Sequence, residues 1–115
     1  MIKTLELDAK KINIITNLLK EIFHGEITLI IQNSCLMQIV RNEKIRLSDF
    51  NKYEQHHKNT KPVNYTPVYN KIQEQLKNLE FGNIVIVIKS GRVVQVEKTE
   101  KHRFQEFTGM DGEGI

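Results

Sequence analysis

Apolar residues recur along this chain with two different periods. Between residues 9 and 24, Ile12, Ile15, Leu19 and Ile22 stand three or four positions apart, which predicts an amphipathic helix. Asp8 ahead of it is a good N-cap, and Gly25 supplies the permissive backbone that commonly ends a helix. Ile14, Leu18 and Phe23 widen the apolar stripe, so this helix is expected to touch more than a single sheet face. The period then shortens. Residues 27–31 read ITLII, a β-branched run that predicts a strand, Asn33 and Ser34 form a turn, and residues 36–40 make the return strand. Further on the same order repeats. Thr66 and Pro67 predict a helix start, Ile72, Leu76 and Leu79 its buried stripe, with Val68 and Tyr69 at its upper end. That helix is expected to run to about Glu80 and to end at Phe81 and Gly82. A second hairpin follows over residues 84–98, turning at Ser90 and Gly91.

The recurrence is a duplication. Residues 25–46 read GEITLIIQNSCLMQIVRNEKIR, and residues 82–103 read GNIVIVIKSGRVVQVEKTEKHR. A shift of 57 positions, the separation of Gly25 and Gly82, superimposes Ile27 on Ile84, Ile31 on Ile88, Gln38 on Gln95, Glu43 on Glu100, Lys44 on Lys101 and Arg46 on Arg103 without a gap. The same shift carries Ile15, Leu19 and Lys20 onto Ile72, Leu76 and Lys77, so the repeating unit includes the helix. A two-residue hairpin loop favours Asn followed by Gly. The first copy keeps the Asn, as Asn33, and the second keeps the Gly, as Gly91.

One αββ unit has a hairpin and a helix, too little to be stable alone. Two units predict an α+β fold: a four-stranded, mainly antiparallel sheet with both helices on one face, related by a pseudo-two-fold axis. The whole of residues 1–115 is read as one domain of two repeats, about 8–47 and 66–104, with a polar connector at 48–65 and a flexible tail at 108–115. Residues 1–7 are left open between a short strand and a lead-in. A short helix before Pro62 is allowed by the connector. In residues 84–88 both faces of the strand are apolar, Ile84, Ile86 and Ile88 on one and Val85 and Val87 on the other. Two helices cover one face only. A homodimer stacked sheet on sheet is the simplest cover for the other, with an edge-to-edge dimer as the alternative.

Length and charge bound the rest. A chain of 115 residues buries roughly 65% of the surface its unfolded form exposes. Seventeen Lys and Arg against fourteen Asp and Glu leave a net charge of +3 with the signs interspersed, which permits anionic partners or nucleic acid without requiring them. The single cysteine, Cys35, excludes an internal disulfide and fits a reducing compartment. No leader pattern opens the chain and its longest apolar runs are too short to span a bilayer, so a soluble, cytoplasmic protein without membrane partners is expected.

The second copy, a helix followed by the glycine-flanked hairpin, resembles the YezD family of small bacterial proteins, a domain of unknown function. The likeness rests on Gly82, Gly91, Gln95, Glu100, Lys101 and Arg103, and covers residues 68–104 well and 12–47 less well. In the first copy Gly25, Gln38, Glu43, Lys44 and Arg46 match, but Ser34 replaces the hairpin glycine and Cys35 stands where Arg92 stands in the second. Family members usually carry one copy. The resemblance therefore implies a fused pair here and dimers among single-copy relatives, and it implies no activity.

The candidate chemistry is sparse. The two Glu-Lys-x-Arg segments, extended by Arg41 and Lys98, give Arg41, Lys44, Arg46, Lys98, Lys101 and Arg103 as candidate ligands for a small anion or a nucleic-acid backbone. The competing reading is structural. Asn42 and Thr99 are N-cap formers, and a helical turn starting there would pair Glu43 with Arg46 and Glu100 with Arg103. Gln38 and Gln95 either pair across the two-fold or lie exposed. His56 and His57 are adjacent and diverge, with no acidic or cysteine partner at ligand spacing, so no metal and no cofactor is expected. Cys35 has no histidine nearby to activate it. With no catalytic motif, the chain is read as a non-enzymatic interaction module, a homo-oligomer with a possible protein partner. The alternative is a regulatory module binding nucleic acid or an anion through the paired segments, which requires Lys44, Arg46, Lys101 and Arg103 to converge on one surface.

Overall fold

The computed structural model describes residues 7–58 and 62–102. Helix α1 spans Ala9–Glu21, and the Asp8 carboxylate caps it by accepting from the Lys11 N–H at 2.9 Å. Strands β1 (Gly25–Gln32) and β2 (Cys35–Glu43) form the first hairpin. A 3-10 turn at Leu47–Asp49 leads into α2 (Phe50–Lys58), the short helix the connector allowed. Helix α3 (Thr66–Leu76) and strands β3 (Gly82–Lys89) and β4 (Arg92–Glu100) complete the second copy. The expected tail and Arg103 lie outside the described residues.

The four strands make one antiparallel sheet in the order β2-β1-β3-β4. Its central pairing is symmetric. Thr28 lies opposite Val85, its own counterpart in the other copy, and Gly25 opposite Ile88 mirrors Ile31 opposite Gly82. A pseudo-two-fold therefore passes through the sheet between Thr28 and Val85. The core obeys it. Ile15, Leu19, Ile22, Ile27, Leu29 and Ile31 are buried, and so are Ile72, Leu76, Leu79, Ile84, Ile86 and Ile88, each 57 residues on. Burying one such side chain contributes about 1.5–3 kcal/mol, so this set of matched pairs is the main source of stability.

Both hairpins turn through two residues of positive φ: Asn33 (53°) and Ser34 (60°), then Ser90 (52°) and Gly91 (75°), the form whose twist suits a two-residue loop. Each edge strand carries one extra residue, Met37 between Leu36 and Gln38 and Val94 between Val93 and Gln95, again at matched positions. These bulges interrupt the regular ladder on the side an edge-to-edge partner would need.

The segment after each helix is held in two directions. The Phe23 carbonyl accepts from Gly91 N at 2.8 Å and the His24 carbonyl from Lys44 N at 2.9 Å. In the second copy the Glu80 carbonyl accepts from Ser34 N at 3.0 Å and the Phe81 carbonyl from Lys101 N at 2.8 Å. Each copy thus grips the other's hairpin tip. This geometry accounts for two departures from expectation. First, α3 stops at Leu76, because Lys77 turns extended and Asn78 takes φ 61° to drop Leu79 into the core and bring Glu80 to Ser34. Second, no helical turn begins at Asn42 or Thr99: the strands run on through Glu43 and Glu100, since the next amides are drawn to His24 and Phe81. Helix α3 begins at Thr66, as the Thr-Pro pair predicts, with Tyr65 in the cap position and the Asn64 side chain accepting the Thr66 N–H at 3.0 Å.

Helix α2 has no counterpart among the described residues of the second copy. His56 donates from Nε2 to the Lys20 carbonyl at 2.9 Å, and its ring lies 5.3 Å from that of Phe23, which is buried where the second copy has the exposed Glu80. Helices α1 and α3 are joined by a hydrogen bond between the Thr16 and Tyr69 hydroxyls. No helix among the described residues is long and apolar enough to cross a membrane.

Gly25 and Gly82 are needed for close approach. A Cβ on Gly25 would sit 2.2 Å from the Asn42 carbonyl oxygen, and one on Gly82 would sit 2.0 Å from that of Thr99. Either glycine changed to alanine must push β2 or β4 outward, at an expected cost of about 1–3 kcal/mol. Ser34→Gly, which relieves a non-glycine at positive φ, is expected to stabilise by about 0.5–1 kcal/mol. Urea unfolding of the three variants against the parent chain checks both signs.

Candidate functional site

The six basic positions singled out above fall into two groups. Arg41 and Lys98 are equivalent positions on the helix-covered face of the edge strands, opposite Ile27 and Ile84. Both are tied to carboxylates. Arg41 donates to Glu43 at 2.6 Å and to Glu21 at 2.7 Å, while the Lys98 ammonium lies 3.9 Å from Glu100. The hydrogen bonds to Glu43 and then Glu21 raise the Arg41 pKa above its ordinary value. Strand geometry explains the choice of partner: residues i and i+2 share a face, so Glu43 meets Arg41 rather than Arg46. The pairing closes the end of β2 and offsets the Arg41 charge with two carboxylates.

Lys44 and Arg46 are placed differently. Because β1 and β3 are antiparallel, the end of β2 lies beside the end of β3 and the β3–β4 turn. Lys101 lies at the opposite end of the sheet, roughly 20 Å along the strands. The two Glu-Lys-x-Arg segments therefore do not meet on one surface, as far as the described residues extend. Instead Lys44 and Arg46 line an open cleft of roughly 140 Å³ with His24, Glu26, Asn42 and Lys89. Among the described residues, Lys44, Arg46 and Lys89 have no carboxylate at ion-pair distance, whereas Lys11, Lys71 and Lys98 each have one and Arg41 has two. His24 fixes the wall of this cleft. Its Nδ1 accepts from the Ser90 N–H at 3.3 Å, and its Nε2, buried and without a hydrogen-bond partner, stands 3.6 Å from Asp49 Oδ2.

A second surface is the face of the sheet away from the helices. Its side chains follow from the register: Gln38, Val40 and Asn42 on β2, Glu26, Thr28 and Ile30 on β1, Asn83, Val85 and Val87 on β3, and Gln95, Glu97 and Thr99 on β4. Ile30, Thr28, Val85 and Val87 are half-buried around the pseudo-axis, with Val40 beside them, and polar residues surround this apolar centre. No described element lies over it. The glutamines occupy opposite corners, so they do not pair with each other; both are exposed, and the Gln95 amide donates to Glu97.

The other candidates are structural or isolated. His56 faces α1 and the second hairpin, where its ring approaches the position a Gly91 Cβ would occupy, while His57 donates from Nδ1 to the Tyr53 carbonyl at 2.9 Å. Among the described residues no three His, Cys, Asp or Glu are grouped to hold a metal ion. Cys35 is a free, exposed thiol at the start of β2.

His24 and Lys89 were not singled out from the sequence. A signal was present, because both are positions at which the copies differ: Phe81 stands at the counterpart of His24 and Gln32 at that of Lys89. What was missing was the pairing of β1 with β3, which carries Lys89 of one copy to Lys44 and Arg46 of the other.

Comparison with known proteins bears out the resemblance read from the glycines and the Glu-Lys-x-Arg ends. Residues 11–47 and again residues 68–104 match a family described as uncharacterized small protein (DUF2292). The chain is also similar to the uncharacterized protein YezD of Bacillus subtilis (strain 168), with 43% identity over 37 residues, which are 32% of this chain and 67% of that relative. Since 37 residues already make up two thirds of it, that relative has room for one such unit where this chain has two. No solved structure matches.

The two ion pairs differ in what they protect. Arg41→Ala strips the counter-charge from Glu43, whose side chain is only 14% exposed, and is expected to cost about 1 kcal/mol of stability. Lys98→Ala removes a longer contact to a more exposed carboxylate and is expected to cost less than about 0.5 kcal/mol. Thermal and urea unfolding of the two variants side by side measures the difference.

Proposed function

Since the chain belongs to the DUF2292 family of uncharacterized small proteins and holds two of the family's units, we propose that it is a small non-enzymatic interaction module whose open sheet face pairs with a second copy of itself. One observation carries this: an apolar centre of Ile30, Val40, Val85 and Val87 with Thr28, ringed by polar side chains and covered by no described element. An apolar core within a polar rim is the anatomy of a protein interface. A second copy can bury this patch in an isologous contact, in which the same face serves on both sides. Stacking on the face, and not pairing along an edge, is favoured by the Met37 and Val94 bulges that break both edge strands.

Light scattering on a sizing column at low and high salt tests this. The expected mass is twice the 13.5 kDa of the chain at both salts, because apolar contact is not screened. Val85→Lys, at the centre of the patch, is expected to give a monomer with an unchanged far-ultraviolet spectrum. A parent chain that runs as a monomer overturns the proposal.

A further inference from the structure

We propose that the cleft at the β2 end of the sheet binds a small multivalent oxyanion of the phosphate class, held by Lys44, Arg46 and Lys89. The three cations reach it from both copies, Lys44 and Arg46 from the segment after β2 and Lys89 from the end of β3. Among the described residues Lys44, Arg46 and Lys89 have no carboxylate at ion-pair distance, as is also true of exposed cations such as Lys20, Lys77 and Arg92; what sets these three apart is that they line one cleft. All three side chains are exposed, and an oxyanion seated between them gains charge-assisted hydrogen bonds from each. The acids nearby are Glu26 in the same lining and Asp49 behind the His24 ring, so the cationic groups outnumber the one carboxylate in the cleft itself.

The duplication supplies an internal comparison. At the other end of the sheet the counterparts of His24 and Lys89 are Phe81 and Gln32, and the same backbone hydrogen bonds form there without them. The fold therefore does not need this chemistry at the His24 end. The layout also separates a small ligand from a polymer. A nucleic-acid strand needs a continuous basic track, but the open face leading away from the cleft carries Glu26 and Glu97, and Lys101 is at the far end. The cleft is built within one chain, so the inference does not depend on self-association.

The test is titration of the full chain with inorganic phosphate at fixed ionic strength, followed by amide chemical shifts. Saturable shifts confined to Gly25, Lys44, Arg46, Lys89 and Ser90 are expected. Lys89→Gln places in the cleft the residue that Gln32 provides at the other end, so it is compatible with the fold; it is expected to weaken phosphate about tenfold, as is Arg46→Ala. Absence of saturable shifts, equal shifts around Lys101, or an affinity unmoved by both variants overturns the proposal. So does a single-stranded oligonucleotide that binds more tightly than phosphate and shifts amides along the whole sheet.

Discussion

The backbone that follows each helix is committed in two directions at once. The carbonyls of Phe23 and His24 bind Gly91 of the other hairpin and Lys44 of their own, and those of Glu80 and Phe81 bind Ser34 and Lys101. Much else in the structure depends on this reciprocal grip. It requires a positive φ at Ser34 and Gly91, so that each hairpin tip turns its amide outward. It requires bare glycines at Gly25 and Gly82, where the strand leaves the grip against a carbonyl of the neighbouring strand. It also ends α3 early and extends both return strands by drawing their following amides away from any helical turn.

With the copies locked in this way, the central β1–β3 pairing is symmetric about Thr28 and Val85, and the buried side chains divide evenly between copies. Symmetry of the core leaves function to the departures from it. Among the described residues helix α2 is one such departure, with His56 bonded to the Lys20 carbonyl and its ring beside Phe23. The cleft is another, since the shared geometry of the two ends is filled by different chemistry. Joining two units in one chain makes the central pairing intramolecular and lets each copy carry its own side chains at its end of the sheet.

Most of the fold was legible along the chain because its signals are local. The period of Ile15, Leu19 and Ile22 and the alternation of Ile84, Ile86 and Ile88 depend only on which face meets the core, and the 57-residue shift made each copy a check on the other. Helix ends were less legible, as α3 shows. Its apolar spacing continues to Leu79, but a helix turning there could not deliver Glu80 to Ser34, a residue 46 positions away. The candidate site was half legible for the same reason. Lys44 and Arg46 stood out as a repeated motif, but Lys89 joins them only through the register between copies, and Arg41 is neutralised by Glu21, a residue on another element.

Native-state hydrogen exchange is the most direct test of the reciprocal grip. If the copies form one body, the amides of Ser34, Lys44, Gly91 and Lys101 exchange together with the β1–β3 ladder, all at the free energy of global unfolding and with the same denaturant dependence. Protection that is lost from one hairpin while the other copy remains protected would contradict the account, because it would show that the units stand independently.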